Sequence, residues 1–189
     1  MLKGVQLMLK NAEEGRAPMN DTAIHPATRV GHVALWTSDL DRAIAFYRDV
    51  LGMQVTQDMR EEPTPRPLVF LSASGSYHHH IGLVEQRGKT APPERHTGLF
   101  HFALLYPDRR ELARALRQLL DHDWPIESMR DYGISEVVNI HDPDGNGVEL
   151  CYDRPAEQWP HIDGQLRMFN KKLEADLLEE LHEETLGIA

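Results

Sequence analysis

The sequence predicts an α+β fold built from two copies of one βαβββ unit. Two short segments, Gly31-His-Val-Ala-Leu35 and Phe100-His-Phe-Ala-Leu104, match each other at an offset of 69 residues. Each segment is followed first by apolar residues with helical spacing and then by three stretches with the character of β-strands. Duplication of one supersecondary unit is the simplest explanation of this order.

The helix of each unit is predicted from one apolar stripe. Asp39 and Asp108 occupy equivalent places in the two copies, each just before its stripe. Both stripes keep the i, i+3, i+4, i+7, i+8 spacing of a helix that buries one face. Their members are Ala43, Phe46, Tyr47, Val50 and Leu51 in the first copy, and Leu112, Ala115, Leu116, Leu119 and Leu120 in the second.

The strands are predicted from apolar runs and from the turns between them. The first module, about 28–85, has strands near 30–36, 53–59, 67–72 and 78–84. The second module, about 98–155, has strands near 98–105, 124–130, 135–141 and 147–153. Gly75-Ser76 marks the turn before the fourth strand, and Asp142-Pro-Asp-Gly-Asn146 marks the turn before the eighth. The polar, proline-bearing stretch 86–97 is predicted to link the modules.

Two extensions flank the predicted single domain at 28–155. Residues 1–27 form an N-terminal extension, and residues 156–189 form a C-terminal extension with an amphipathic helix. That helix is expected to pack on its own domain or on a partner subunit, since its polar face is acidic rather than basic. Its apolar face is formed by Ile162, Leu166, Phe169, Leu173, Leu177 and Leu181.

Composition excludes several classes of partner. The net charge of −10 argues against nucleic acid and against an anionic lipid surface. No apolar run approaches the ~20 residues that span a bilayer, so no membrane partner is expected. The N-terminus lacks the features of a signal peptide. Because Cys151 is the only cysteine, an internal disulfide is impossible and a reducing, cytoplasmic location is expected.

Strand alternation predicts one polar site from both modules. His32 and His101 each lie opposite the bulky apolar face of their strand, and Glu149 lies opposite the apolar face of the eighth strand. The 69-residue offset relates Glu149 to His80, whose side chain is predicted to face the same side. Imidazole and carboxylate donors suit Fe(II), Mn(II), Ni(II) or Zn(II). The alternative is a pair between Glu149 and His32 or His101 without an ion.

These segments make the sequence resemble the vicinal-oxygen-chelate superfamily, which includes glyoxalase I, extradiol ring-cleaving dioxygenases and antibiotic-sequestering proteins. The resemblance covers about 28–155 and implies two modules whose eight strands curl into an open, cup-like sheet. It is carried by Gly31-His-Val-Ala-Leu35, Asp41 to Gly52, Gly98-Leu-Phe-His-Phe-Ala103 and Asp142-Pro-Asp-Gly-Asn-Gly-Val-Glu149. The catechol 2,3-dioxygenase-like branch is most similar, through Tyr77-His-His-His-Ile-Gly-Leu83, Asp131-Tyr-Gly-Ile-Ser-Glu136 and Asp153 to Pro155.

The resemblance also implies a site. It places one divalent metal per chain, with Fe(II) favoured, on His32, His101 and Glu149. It implies an acid–base histidine on the fourth strand, which is His80 by facing or His79 by direct motif match, with His80 preferred. The implied partners are a small aromatic diol and dioxygen, and the implied assembly is a homodimer.

Two departures from the branch bear on the substrate pocket. Tyr132 stands where the branch usually has histidine, and Asn139 stands where it usually has a tyrosine that hydrogen-bonds the substrate. The predicted function is extradiol cleavage, and these two departures leave open a different substrate or a reduced or lost activity. A glyoxalase-type lyase or isomerase is the second hypothesis, although glyoxalases usually carry glutamate at the position of His80. A metal-free binding protein is the third, and the triad of ligands counts against it.

Overall fold

A computed structural model describes residues 24–89 and 97–173 of the chain. Residues 24–31 belong to a separate short unit, in which the Thr28 amide donates a 2.8 Å hydrogen bond to the carbonyl of His25. All helices and strands of the described residues lie in the unit that begins at His32.

The first module has the predicted order of strand, helix and three strands. Asp39 begins the helix by accepting a 3.0 Å hydrogen bond from the Arg42 amide. In the sheet order β1-β4-β3-β2, β1 is parallel to β4 and the other pairs are antiparallel. The elements are β1 (Val33–Thr37), α1 (Leu40–Ala45) continued by a π-helical turn (Phe46–Val50), β2 (Gln54–Asp58), β3 (Leu68–Ser72) and β4 (Ile81–Glu85).

The second module repeats this topology. Asp108 begins its helix in the same way, with a 2.9 Å bond from the Glu111 amide. Its sheet has the order β11-β6-β7-β8-β5, in which β11 is Lys171–Lys172, and β5 is parallel to β8, as β1 is to β4. The elements are β5 (Phe102–Leu105), α2 (Arg109–Asp121), β6 (Ile126–Asp131), β7 (Ser135–His141) and β8 (Gly147–Asp153).

The apolar stripes of the two helices supply much of the core. Nearly all of the predicted positions are buried, while Leu51 is partly buried and Leu120 is 43% exposed. Phe46 of the first module packs against Trp124 of the second with ring centroids 4.5 Å apart. Within the described ranges, no helix is long and apolar enough to cross a membrane.

The strands differ from the predicted single eight-stranded sheet. They form separate four- and five-stranded sheets, and β1 and β5 are the edge strands that are not hydrogen-bonded to each other. The modules instead meet through side chains such as Phe46 and Trp124. The α+β class and the two βαβββ units are as predicted, and the sheets do not close into a barrel.

The C-terminal segment, residues 156–173, is not the predicted amphipathic helix. It contains a 3₁₀ turn (Ala156–Gln158), a hairpin of β9 (His161–Ile162) and β10 (Gln165–Leu166), and β11 (Lys171–Lys172). Asp163-Gly164 makes the hairpin turn with positive φ at both residues, a short-range signal that outweighed the helical spacing. β11 pairs with the edge of β6. The rest of the expected helix, including Leu177 and Leu181, lies outside the described residues.

Candidate metal centre

Two of the predicted metal ligands lie side by side in the second module. His101 directly precedes β5, and Glu149 lies on the neighbouring parallel strand β8. Their nearest side-chain atoms, His101 Nε2 and Glu149 Oε2, are 4.0 Å apart. Phe102 and Val148 flank them in sequence and are buried on the opposite face. Strand alternation therefore predicted correctly which face these two polar side chains occupy.

Gly147 allows the two strands to approach closely at this point. A Cβ atom on Gly147 would lie 2.5 Å from the Phe100 carbonyl oxygen and 3.1 Å from the Cβ of His101. Any larger residue would push the start of β8 away from the chain that carries His101. The glycine therefore contributes to the short distance between the two candidate ligands.

The carboxyl of Glu149 is partly buried, with 15% of its side chain exposed. Burial raises the pKa of Glu149, His101 opposes that effect, and Asp153 adds to it. An ionised carboxylate in such a place is costly unless a cation or hydrogen-bond donors compensate it. An ionised Glu149 therefore requires a compensating group such as a cation, whereas a protonated Glu149 does not.

The third predicted ligand, His32, has a different neighbour. It directly precedes β1, where the Val33 amide donates a 2.9 Å hydrogen bond to the His80 carbonyl. The imidazole of His32 packs on that of His79 with ring centroids 4.4 Å apart. Phe70 packs on His79 at the same distance. The first module therefore brings together His32 and His79, rather than His32 and His80.

His80 is instead part of the turn between β3 and β4. Its Nδ1 accepts a 3.2 Å hydrogen bond from the Ala73 amide and lies 3.0 Å from the Ser72 hydroxyl. Its ring also packs on Tyr77. The preference for His80 assumed that strand alternation extends to residue 80, but β4 begins at Ile81 and the histidines precede it in a turn. Which histidine acts in catalysis stays a prediction.

His78 completes a cluster of polar side chains next to His79. The two Nδ1 atoms are 2.7 Å apart, and Nε2 of His78 is 3.1 Å from Oε1 of Gln57. The pKa of His79 is lowered by burial first, and then by the neighbouring His32, His78 and His80. Gln57 has no signal in the sequence, because no local pattern relates β2 to the turn before β4.

The two predicted pocket residues, Asn139 and Tyr132, occupy different parts of the second sheet. Asn139 pairs with Glu149 across β7 and β8, and its amide nitrogen donates a 3.2 Å hydrogen bond to Ser128. Tyr132 lies in the turn after β6, where its carbonyl accepts a 3.2 Å bond from the amide of Phe169. Cross-strand partners share a face, so Asn139 lies beside the candidate ligands. Tyr132 lies against the C-terminal segment.

Side chains also join the two modules, through a cluster here called the clasp: Thr37, Ser38, Arg42 and Asp144. One oxygen of Asp144 accepts a 2.6 Å bond from Thr37, and the other accepts bonds from Ser38 and Arg42. The sequence predicted only a turn at 142–146. The two aspartates in that turn were the only sequence feature that pointed to side-chain hydrogen bonds there, and the sequence did not indicate which residues donate to them.

The imidazole and carboxylate groups of His32, His101 and Glu149 are of the chemical kind that binds a divalent ion. Only His101 and Glu149 are close enough together to share one. Donors that are each about 2.0–2.2 Å from one ion are at most about 4.4 Å apart, and His101 and Glu149 meet that limit. Among residues 24–89 and 97–173, no three His, Cys, Asp or Glu side chains are grouped closely enough to hold a metal. His32 therefore does not join the pair in this arrangement.

Comparisons with known proteins agree with this architecture. The model of the Glyoxalase/Bleomycin resistance protein/Dioxygenase superfamily matches residues 29–150, and the chain belongs to this superfamily. A catechol-2,3-dioxygenase from Bacillus subtilis is 39% identical over 73% of this chain, and the match covers 46% of that protein's length. A biphenyl-2,3-diol 1,2-dioxygenase from Rhodococcus globerulus is 28% identical, with 72% and 71% covered.

A solved structure gives the same fold. The lactoylglutathione lyase from Agrobacterium tumefaciens is 26% identical, with a TM-score of 0.51 over 68% of this chain and 96% of the lyase. The superfamily and the α+β fold predicted from the sequence are confirmed.

Proposed function

We propose that this chain is an extradiol dioxygenase that cleaves the ring of a small catechol-type substrate with dioxygen. The observation that carries the proposal is the pair of His101 and Glu149, which are 4.0 Å apart on one face of the second sheet. The names of the two dioxygenase relatives support the same reaction.

The proposed metal ligands are His32, His101 and Glu149, with one ion per chain. Two imidazoles and one carboxylate suit Fe(II), and they also accept Mn(II), Ni(II) or Zn(II). When bound, Fe(II) supplies Lewis acidity and the redox chemistry that dioxygen requires.

His79 is the proposed acid–base residue, in place of the His80 favoured by strand alternation. It packs on His32, whereas His80 is held by Ser72 and Ala73. Burial lowers the pKa of His79, so its imidazole is uncharged near neutral pH and can accept a proton from a substrate hydroxyl.

Asn139 is the proposed substrate-binding donor. It lies next to Glu149 across the strand pair, and its amide can turn from Ser128 towards a substrate oxygen. A carboxamide donates a hydrogen bond but lacks the acidity of a phenol. Asn139 therefore orients the substrate without supplying a proton, and Tyr132 borders the pocket farther along the sheet.

A glyoxalase-type lyase is the second candidate, favoured by the likeness to the lactoylglutathione lyase. The same three ligands would hold the metal, and His79 would move the proton. Such a reaction needs no dioxygen, and this requirement separates the two candidates. The homodimer and the cytoplasmic location stay predictions.

The test is oxygen uptake after anaerobic loading with Fe(II), with a panel of catechols. Uptake with a new yellow ring-fission absorbance is expected, and His32→Ala, His101→Ala and Glu149→Gln each should abolish it. His141→Gln is the matched control, because this histidine is about half exposed and lies outside the site. Turnover that proceeds without oxygen would favour the lyase. No turnover of either kind with iron bound would contradict both.

A further inference from the structure

We propose that Gln57 and His78 are positioning residues that hold the neutral imidazole of His79 with its proton on Nδ1 and its lone pair on Nε2. The catalytic meaning of this tautomer rests on the proposed function, in which His79 is the base. The tautomer itself depends only on the hydrogen bonds of the first module.

The chain of donors and acceptors begins at Gln57. Its Oε1 is an acceptor only, so Nε2 of His78, 3.1 Å away, carries a proton and donates it. A neutral imidazole protonated on Nε2 has its lone pair on Nδ1. The Nδ1 atoms of His78 and His79 are 2.7 Å apart, and one of them must donate. That donor is His79.

A β-bulge positions Gln57 for this contact. The pairing of β2 with β3 shifts register between Val55 and Gln57. Thr56 donates a 2.6 Å bond to the His78 carbonyl, while the next residue, Gln57, reaches the His78 ring. Consecutive residues of a regular strand point to opposite faces, and a bulge removes that restriction. The bulge therefore lets β2 fix both the backbone and the ring of His78.

Packing limits the freedom of the His79 ring. Phe70 and His32 each lie with their ring centroids 4.4 Å from that of His79. With Nδ1 engaged by His78, Nε2 is the nitrogen left to meet a substrate. The inferred tautomer places a lone pair there, which is what a general base requires.

His80 provides an internal contrast, because its hydrogen bonds require the opposite tautomer. The Ala73 amide can only donate, so Nδ1 of His80 accepts and the proton of its neutral form lies on Nε2. The two adjacent histidines that were the sequence's candidates for the acid–base role thus differ in tautomer. Only His79 presents an Nε2 lone pair.

The test is long-range ¹⁵N–¹H correlation NMR of the full chain with ¹⁵N-labelled histidine, at a pH where imidazoles are neutral. His79→Gln and His80→Gln identify the two signals. The expected result is the Nδ1–H tautomer for His79 and the Nε2–H tautomer for His80. Gln57→Leu, which removes an exposed acceptor, should shift His79 towards a mixture, and Gln57→Glu, which keeps an acceptor, should restore it.

Activity of the Fe(II)-loaded protein provides the second readout. Gln57→Leu should lower kcat about 2- to 10-fold, the range of one neutral hydrogen bond, with KM unchanged and with rescue by Gln57→Glu. An Nε2–H tautomer at His79, or a His79 NMR signal that is the same in Gln57→Leu as in the wild type, would overturn the inference even if catechol is cleaved. The expected tautomers without any turnover would overturn the proposed function and leave the tautomer assignment intact.

Discussion

The hydroxyl of Thr37 donates a 2.6 Å hydrogen bond to the carboxylate of Asp144, across 107 residues of sequence. Thr37 ends β1, the strand that follows His32, and Asp144 lies in the turn before β8, the strand that carries Glu149. The two sheets share no backbone pairing between β1 and β5. This contact of the clasp therefore ties the end of β1, which follows His32, to the turn before β8, which carries Glu149.

Asp144→Asn should destabilise the protein in a pH-dependent way. Burial raises the pKa of Asp144, but bonds from Ser38 and Thr37, with the charge of Arg42, outweigh burial and lower it. A lowered folded-state pKa adds stability that is complete above the unfolded value of ~3.9 and is lost as pH falls through the folded value. We expect a loss of about 1–3 kcal/mol at pH 7, measured by urea unfolding.

The control for this prediction is Asp41→Asn, at a carboxylate that is 85% exposed. The Asp41→Asn substitution should leave the midpoint of urea unfolding unchanged at both pH 3 and pH 7. The difference between wild type and Asp144→Asn should shrink as the pH is lowered below 4. A loss of the same size at pH 3 and pH 7 would show that shape, and not charge, explains the effect.

Tyr47→Phe should weaken another contact between the modules. The buried Tyr47 hydroxyl donates a 2.9 Å bond to Asp142. Burial raises the pKa of Tyr47, and the nearby Asp142 and Asp144 raise it further, so the hydroxyl stays protonated as a donor. Loss of a hydrogen bond to a charged acceptor should cost about 1.5–3 kcal/mol in the free energy of unfolding.

Tyr106→Phe is the matched control for that substitution. Burial raises the pKa of Tyr106 to about 12, yet its hydroxyl has no hydrogen bond within residues 24–89 and 97–173. Chemical denaturation of both variants separates the free energy contributed by the hydrogen bond from the effect of losing a hydroxyl group. Equal costs for the two substitutions would mean that the bond to Asp142 contributes nothing.

Local periodicity accounts for the features that were predicted correctly from the sequence. The repeat indicated both modules, and the helical stripes indicated the buried faces, because burial of one face imposes a fixed spacing. Strand alternation also assigned the correct face to Glu149, which lies inside β8 between the buried Val148 and Leu150. These features depend on neighbours within one element.

Features that depend on distant partners could not be predicted in the same way. His79 and not His80 meets His32, since the histidines lie in a turn where alternation does not apply. The bond of Thr37 to Asp144 depends on how two modules dock. The C-terminal segment forms a hairpin because Asp163-Gly164 turns the chain, although its apolar spacing suits a helix.

Arg154→Met should break a partly buried ion-pair network. The Arg154 guanidinium contacts Asp131 at 2.6 Å and Glu136 at 2.5 Å, and the side chain of Glu136 is only 4% exposed. Burial raises the pKa of Asp131, but bonds from Arg154 and the Gly133 amide outweigh burial and lower it. Removing the cation deprives Asp131 of its arginine and leaves Glu136 with only its 2.6 Å contact to Arg109, at a cost of about 2–4 kcal/mol.

Thermal and urea unfolding of Arg154→Met should be compared with Arg48→Met. Arg48 pairs with Asp49 through a bidentate contact of similar length, but both side chains are about half exposed. Water screens such a pair, so no change in the melting temperature is expected. If both variants lost the same stability, burial would not be what distinguishes the Arg154 network.

Gly133→Ala should disturb the packing of the C-terminal segment on the turn that contains Tyr132. Gly133 has φ of +83°, and a Cβ there would lie 2.7 Å from a ring carbon of Phe169 and 2.8 Å from Pro160. Gly164→Ala is the matched control, because it has φ of +74° and open space around the missing Cβ. The Gly164→Ala substitution should cost only the strain of placing alanine at a positive φ, about 1–2 kcal/mol in the free energy of unfolding.

Gly133→Ala adds a steric term to that backbone cost, so its loss in the free energy of urea unfolding should be about 2–5 kcal/mol. Phe169→Ala removes the nearer obstacle. The double variant Gly133→Ala with Phe169→Ala should therefore lose less stability than the sum of the two single variants. Additive losses, or equal losses for Gly133→Ala and Gly164→Ala, would mean that the C-terminal segment does not press on this turn in solution.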